Sequence, residues 1–328
     1  MRRSLSFLQA QKPRVTWLNV QKAGWSVLER LAFEECLFRT EAEERRHWIL
    51  VGAHQATHHK HLPNNDKNST VNACIVMGIG GKPHQLLDVE SVQRDDIHVL
   101  KRFSGGGTVI LDSNSLWTTI IGRNAKDKNN NKPLLKEHFP RPIMEYTADA
   151  LFGPTFDKLT ERSRQRQAPR RPPSLVVQSK SCGVADLSMT NNNNNVKAYP
   201  SFHLRENDYC LGDYKMGGNA QSIGKDGFLH HTSFLWDFQP SNMDYLQLPA
   251  KRPKYRGDRS HDDFLVRLNR VYQTLTPDDF VECFRETCAD AFELHEATVA
   301  DAMTIIDAQG GLQKWLATKS RTKVVTEF

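Results

Sequence analysis

The stretch Lys101-Arg102-Phe103-Ser104-Gly105-Gly106-Gly107-Thr108-Val109-Ile110 decides how this chain is read. Strand-forming residues flank it, so three glycines interrupt a β-hairpin. Glycine tolerates φ > 0 without steric cost and lets main-chain N–H groups come close to a ligand. With Lys101 and Arg102 just upstream, such a turn can cradle a carboxylate or phosphate. A plain glycine-rich hairpin satisfies the same pattern, so the reading depends on what lies further along.

A second glycine pair stands in Gly212-Asp213-Tyr214-Lys215-Met216-Gly217-Gly218-Asn219-Ala220-Gln221-Ser222. A lysine held on rigid backbone is a compact ammonium, suited to stabilising charge on an acyl phosphate or a carbonyl oxygen. The plain alternative is an exposed hairpin lysine. Next comes Phe228-Leu229-His230-His231-Thr232-Ser233-Phe234-Leu235-Trp236-Asp237, a strand entered through a polar pair.

These three segments, in this order, resemble the biotin/lipoate ligase catalytic domain, and within it the lipoate-protein ligase A and lipoyltransferase branch. That family carries an RRxSGGGxVxxD turn, a GxxKxxGNAQ lysine motif and an HHxTxL strand. Trp17-Leu18-Asn19-Val20 and Ala32-Phe33-Glu34-Glu35-Cys36-Leu37 resemble its opening strand and first helix with paired glutamates. Ala73 to Gly78 with Gln85 to Asp96, then Leu248 to Arg256 and Asp262 to Leu265, continue the likeness over roughly residues 15 to 290. The biotin branch's GRGRxxR signature is absent.

The resemblance implies an enzyme that attaches lipoate, or a close acyl relative, to a lysine of a carrier domain. The acid attacks the α-phosphate of ATP, giving an acyl-adenylate and pyrophosphate; an acceptor ε-amine then displaces AMP. On that reading Lys215 is the catalytic cation. Arg102, Ser104, Gly105, Gly106 and Gly107 form a facing wall for substrate and adenylate, with Gly217, Gly218, Asn219, His230, His231 and Thr232 completing the pocket. Asp112 either helps bind Mg2+ or closes the hairpin. The cofactors implied are ATP and Mg2+, or preformed lipoyl-AMP, with lipoate as substrate. The partners implied are lipoyl carrier domains of 2-oxoacid dehydrogenase complexes or the glycine cleavage H protein.

Two departures qualify the resemblance. Leu111 precedes Asp112 where many bacterial ligases have histidine. The stretch after Phe292 is too short for the accessory domain of full-length ligases, which points to preformed acyl-adenylate, acyl groups taken from a carrier, or a separate activating partner. Two other functions fit the sequence. One is an acyl-carrier-dependent octanoyl or lipoyl transferase with Cys182 as thioester nucleophile. The other is a noncatalytic relative that holds lipoyl domains or nucleic acid.

At 328 residues the chain suffices for one large core, or one core with a small appendage. It has no apolar run long enough for a membrane span. None of its six cysteines forms a C-x-x-C pair, which fits a reducing compartment and no disulfide framework. Net charge is +6, and five arginines fall between Arg162 and Arg171. Their glutamine and proline context reads as a solvated loop more than a nucleic-acid patch. Residues 1 to 28 hold five basic and no acidic side chains, a composition that allows a mitochondrial address beside a cytoplasmic one.

Strands and helices interleave without strict βαβ alternation. The fold class expected is α+β: a mixed, largely antiparallel sheet packed by helices, the biotin/lipoate ligase fold related to class II synthetases. The division expected is a basic extension 1–14, a catalytic domain 15–292 with loop insertions at 53–70 and 157–200, and a short helical tail 293–328. Lys215–Met216 and Ala220–Ile223 are read as separate strands; Pro142–Leu159, Asp262–Tyr272 and Thr276–Phe292 as helices. Asn-rich patches mark surface insertions, and the cluster of His54, His58, His59 and His61 reads as a loop more than a metal site.

Overall fold

Ser115–Arg123 is the strand about which the fold is built, and all nine of its residues are buried. The computed structural model describes residues 12–41, 44, 46–54, 73–124, 132–167, 199–248 and 252–328. The first half runs β1 (Arg14–Asn19), α1 (Val27–Thr40), β2 (His47–Ala53), β3 (Ala73–Met77), the short α2 (Pro83–Leu86) and α3 (Val89–Arg94), β4 (His98–Lys101), β5 (Val109–Asp112) and β6 (Ser115–Arg123). Then come α4 (Pro140–Thr147), a π-helical segment (Ala148–Phe152), α5 (Gly153–Gln167), β7 (Phe202–Arg205), β8 (Asp208–Leu211), β9 (Tyr214–Gly224) and β10 (Gly227–Leu235). The chain continues through α6 (His261–Phe264), α7 (Leu268–Val271), α8 (Pro277–Ala291), β11 (Glu293–Ala297), α9 (Val299–Asp307), α10 (Leu312–Thr318) and β12 (Lys323–Val324).

An eight-stranded sheet runs in the order β11-β1-β2-β6-β10-β9-β8-β7, and a four-stranded sheet in the order β12-β4-β3-β5. Pairing is parallel at β11-β1, β1-β2 and β3-β4 and antiparallel elsewhere. The α+β expectation of a mixed, largely antiparallel sheet is met.

Alternation along the strands gives the large sheet two apolar faces. Val15, Trp17, Ile49, Val51, Ile120, Phe228 and Phe234 pack against Phe152 and Phe156 of the π-segment and α5 and Phe280 and Phe284 of α8. Leu18, Trp48, Leu50, Ile121 and Leu229 pack instead against Phe33 and Leu37 of α1, Ile306 of α9 and Trp315 of α10. Helix α1 begins where Ser26 accepts from Glu29 N and the Glu29 carboxylate returns to Ser26 N, a capping box. Helix α8 starts the same way through Thr276 and Asp279, with Pro277 at its first position.

Several elements depart from the sequence reading. The two short strands around Gly217-Gly218 are one strand of 11 residues, because main-chain pairing with β10 carries it through the glycines. Helix persists to Gln167, ten residues past Asp157 where the sequence reading placed the start of a break. Arg162, Arg164 and Arg166 of the arginine-rich segment are therefore helical. Arg162 pairs with Glu282 and Glu286, and Arg166 with Asp279, so these charges are bound to α8 and not loose in a solvated loop. Asp262–Tyr272 breaks into α6 and α7. The tail 293–328 supplies an edge strand to each sheet as well as two helices. Cys36, Cys74, Cys210, Cys283 and Cys288 are free and buried, packed as small hydrophobes. No helix among the described residues is long and apolar enough to cross a membrane. Residues 1–11, His58, His59, His61, Asn129–Asn131, Arg170, Arg171, Cys182 and Asn191–Asn195 lie outside the described residues.

Gly122 faces Phe228 directly across β6 and β10, and a Cβ at Gly122 would fall within the fully buried Phe228 ring. Gly224 has open space around it. Urea titration should find Gly122→Ala destabilised by about 1–3 kcal/mol, the usual cost of overpacking, and Gly224→Ala nearly unchanged. Equal effects at the two positions would refute this account of the sheet's packing.

Candidate active site

The glycine turn between β4 and β5 is held in place by backbone. Arg102 N donates to Met77 O at 3.0 Å and Ile79 N to Ser104 O at 3.0 Å, tying the turn to the end of β3. Gly105 N donates to Gln221 O of β9 at 2.8 Å. Gly106 has φ +112°, and a Cβ there would stand 2.9 Å from Asn219 O and 3.1 Å from Ala220 Cα. A Cβ on Gly78 would collide with Gly106 O. Side chains at these points would force the three segments apart.

Arg102 anchors the turn from beneath. It is 4% exposed, and its guanidinium donates to Val76 O at 3.1 Å, Gly105 O at 3.1 Å and Gly107 O at 2.8 Å. Burial, then the neighbouring Arg30, pushes its pKa down to about 10, so it stays charged at neutral pH. The sequence placed Arg102 in the wall facing the substrate. Its donors instead hold carbonyls, two of them in the turn, which leaves the exposed Gly106 and Gly107 to offer main-chain amides, since Gly105 N is already spent on Gln221 O.

The two histidines of β10 leave on opposite faces, as alternation requires. His230 is fully buried; its Nε2 lies 3.0 Å from Tyr209 Oη and 3.2 Å from Thr232 Oγ1, and its Nδ1 accepts from Gln221 Nε2 at 3.0 Å. Burial, then the adjacent His231, lowers its pKa to about 3. It is a neutral structural histidine, and Thr232 is its partner.

His231 faces α1. Its Nε2 lies 2.7 Å from Glu34 Oε2, and its Nδ1 is 3.4 Å from Ser104 Oγ at the base of the turn. Glu34 Oε1 also accepts from Thr119 Oγ1 at 3.0 Å. Burial raises the Glu34 pKa, but His231 and Arg30 outweigh it and hold the carboxyl below its usual range. Burial lowers His231 despite the pull of Glu34. A carboxylate, a neutral imidazole and a hydroxyl thus run in series from α1 to the glycine turn. The sequence reading noted Glu34 and Glu35 only as a pair in the first helix. Two acids amid Ala32, Phe33, Cys36 and Leu37 on a buried helix were the available sign that both would need partners. Glu35 accepts from Ser320 Oγ at 2.7 Å and Arg321 N at 3.0 Å.

Lys215 stands on β9, the strand that receives the turn. Gly218, three residues on, comes within 3.5 Å of Val109 just past the turn, measured from an ideal Cβ. Three residues of strand span roughly 10 Å. The ammonium lies 2.7 Å from Asp208 Oδ1, with the side chains 27% and 9% exposed, and Tyr255 Oη donates to Asp208 Oδ2 at 2.9 Å. Asp208 was not anticipated, since it lies across the β8–β9 hairpin and no motif marks it. Asn219 Nδ2 donates to Asn207 O at 2.6 Å.

Asp112 closes the hairpin. Its carboxylate accepts from Asn114 N at 3.0 Å, Gln239 N at 3.1 Å and Asn242 Nδ2 at 3.4 Å. Both oxygens are engaged, and among the described residues no group of three or more His, Cys, Asp or Glu could hold a metal ion. Asp112 does not fit the Mg2+ role.

Residues 69–289 match the family model described as the lipoyl protein ligase A/B catalytic domain. The chain belongs to that family. It is 28% identical over 306 residues to the inactive lipoate–protein ligase 2 of Plasmodium falciparum (isolate 3D7), covering 82% of this chain and 71% of that relative. Its fold is similar to lipoate-protein ligase A bound with ATP, with TM-score 0.52, 13% identity and coverage of 94% and 95% of the two chains. It is also similar to the bi-partite lipoate protein ligase of Thermoplasma acidophilum, from an archaeal lipoylation system that includes an E2 lipoyl domain (TM-score 0.54, 13% identity, coverage 94% and 95%). These likenesses place the catalytic-domain fold in the lipoate ligase group.

The buried neutral His230 makes stability depend on pH. Its folded pKa of about 3 lies below the ordinary 6.5, so stability is full above pH 6.5 and falls as the unfolded chain alone takes up the proton. Between those values the slope from this residue is about 1.4 kcal/mol per pH unit. Urea unfolding from pH 7 to 4 should show that much less slope in His230→Gln. Parallel profiles would mean that His230 is protonated in the native state.

Proposed function

We propose that the chain attaches a lipoyl or related acyl group to a lysine of a lipoyl carrier domain through an acyl-adenylate. The observation that carries this reading is the seating of the Ser104–Gly107 turn on Asn219–Gln221 of the strand that bears Lys215. One floor then offers main-chain amides, and the same strand offers an ammonium. Relatives bound with ATP and studied with an E2 lipoyl domain lend it support.

In the first half-reaction a carboxylate oxygen of the acid attacks the α-phosphorus of ATP, forming a C–O–P linkage as the P–O bond to pyrophosphate breaks. Glycine-turn amides donate to the charge on the acyl phosphate. Lys215 exchanges Asp208 for the substrate oxygen, where an ammonium stabilises developing negative charge. In the second, the acceptor ε-amine adds to the acyl carbonyl. The C–O bond to AMP breaks, the amide forms and the amine gives up a proton. The same amides and Lys215 face the oxyanion of this step. His231, braced by Glu34, fixes Ser104 and with it the start of the turn, so its part is positioning.

Purified chain, a lipoyl domain and synthetic lipoyl-AMP should give the amide product. Lys215→Ala should lower that rate by roughly 10²–10³-fold, the scale of losing one oxyanion contact. A parallel mixture of lipoate, ATP and Mg2+ tests self-activation. Wild-type turnover by Lys215→Ala, or no product from either mixture, would overturn the proposal; the second result would favour a noncatalytic relative.

A further inference from the structure

A second cation stands near Lys215, on the segment 255–266 that contains α6. Tyr255 Oη donates to Asp208, the partner of Lys215, and Val266 N donates to Lys215 O at 3.0 Å, so this segment lies along the Lys215 strand. From Arg252 to Arg259 the chain carries four basic residues and one acid, the exposed Asp258, which pairs with Arg252.

Arg256 and Arg259 clasp each other. The Nε of each donates to the main-chain carbonyl of the other at 3.1 Å, and both guanidinium carbons lie over the Phe264 ring, 4.7 Å and 5.1 Å from its centroid. Two like charges are thereby held together, at a cost that an anion between them would offset. Their remaining donors differ. Arg259 spends Nη1 on Asp213 O and Nη2 on Tyr255 O, much as the buried Arg102 and Arg123 each reach three carbonyls. Arg256 is 5% exposed, yet its Nη2 is buried with no hydrogen-bond partner, and among the described residues its guanidinium has no ion pair. Leaving the donors of a guanidinium fork unmade away from water is costly. Burial, then Arg252, lowers the Arg256 pKa against the pull of Asp208. Burial, then Arg256, lowers that of His261, and Lys215 acts in the same direction. Arg256 and Lys215 therefore share one electropositive region.

We propose that Arg256 holds a diphosphate group, the leaving end of ATP, beside the α-phosphate that Lys215 meets. This rests on the acyl-adenylate reading above. The guanidinium fork fits phosphate oxygens, and a multiply charged anion answers clustered cations better than a single carboxylate does. A cation there stabilises the charge that gathers on the pyrophosphate as its bond to the α-phosphorus breaks.

The test titrates inorganic pyrophosphate, orthophosphate and a non-hydrolysable lipoyl-adenylate analogue into the full chain by calorimetry. Wild type should bind pyrophosphate at one site, at least tenfold more tightly than orthophosphate. Arg256→Gln should weaken pyrophosphate about tenfold to a hundredfold, the range for hydrogen bonds to a charged group, and the analogue much less. Lys215→Ala should weaken the analogue more than pyrophosphate. Arg94→Gln, at an exposed arginine paired with Asp95, should bind all three as wild type does. Equal affinity of the wild type for pyrophosphate and orthophosphate would overturn the proposal, and needs no variant. So would unchanged pyrophosphate affinity in Arg256→Gln, or equal losses of pyrophosphate and analogue there, the mark of an arginine that serves only the fold. Failure of the acyl-adenylate reading shows separately, as an analogue that wild type does not bind.

Discussion

Close main-chain contact at Gly106 is the constraint on which the site depends. Three segments distant in sequence meet there with no Cβ between them: Gly78 after β3, the turn itself and Asn219–Ala220 on β9. Contact at that range joins the small sheet to the large one and leaves the turn's amides beside the Lys215 strand. It also explains why the glycines cluster where they do. A side chain at Gly78 or Gly106 would occupy space that backbone atoms already fill.

Charge is arranged around that contact in two layers. Inside, Arg102 holds three carbonyls, and Glu34 with His231 reaches Ser104, so both ends of the turn are braced from the buried side. Breaking such a set leaves unpaired donors or charge in a dry interior, so the arrangement is rigid. Outside, the partly exposed Lys215 pairs with the buried Asp208, which keeps Tyr255 Oη as a second partner. A rigid floor and an exchangeable cation are the division of labour that acyl transfer asks for.

Much of this was legible in the sequence because it is written in backbone chemistry. Glycines that permit close approach, the Lys215 motif and the alternation of β10 all follow from local rules. What escaped the reading depends on contacts between distant segments. Arg102 looked like a ligand residue because its sequence neighbours are the glycines, and nothing local says that its side chain turns inward to Val76 O. Lys215 meets Asp208 only because the β8–β9 hairpin folds back at that register. The strand through Gly217-Gly218 survives on hydrogen bonds to β10, which overrides glycine's poor strand propensity. Arg162 and Arg166 read as a loose basic run until α8 supplies Asp279, Glu282 and Glu286.

The most direct measurement is a crystal structure with a non-hydrolysable acyl-adenylate analogue. The account predicts the analogue's phosphate mimic over the Gly106 and Gly107 amides, with the Lys215 ammonium moved from Asp208 to the acyl or phosphate oxygen. An analogue bound elsewhere, or Lys215 still on Asp208 with the ligand in place, would contradict it.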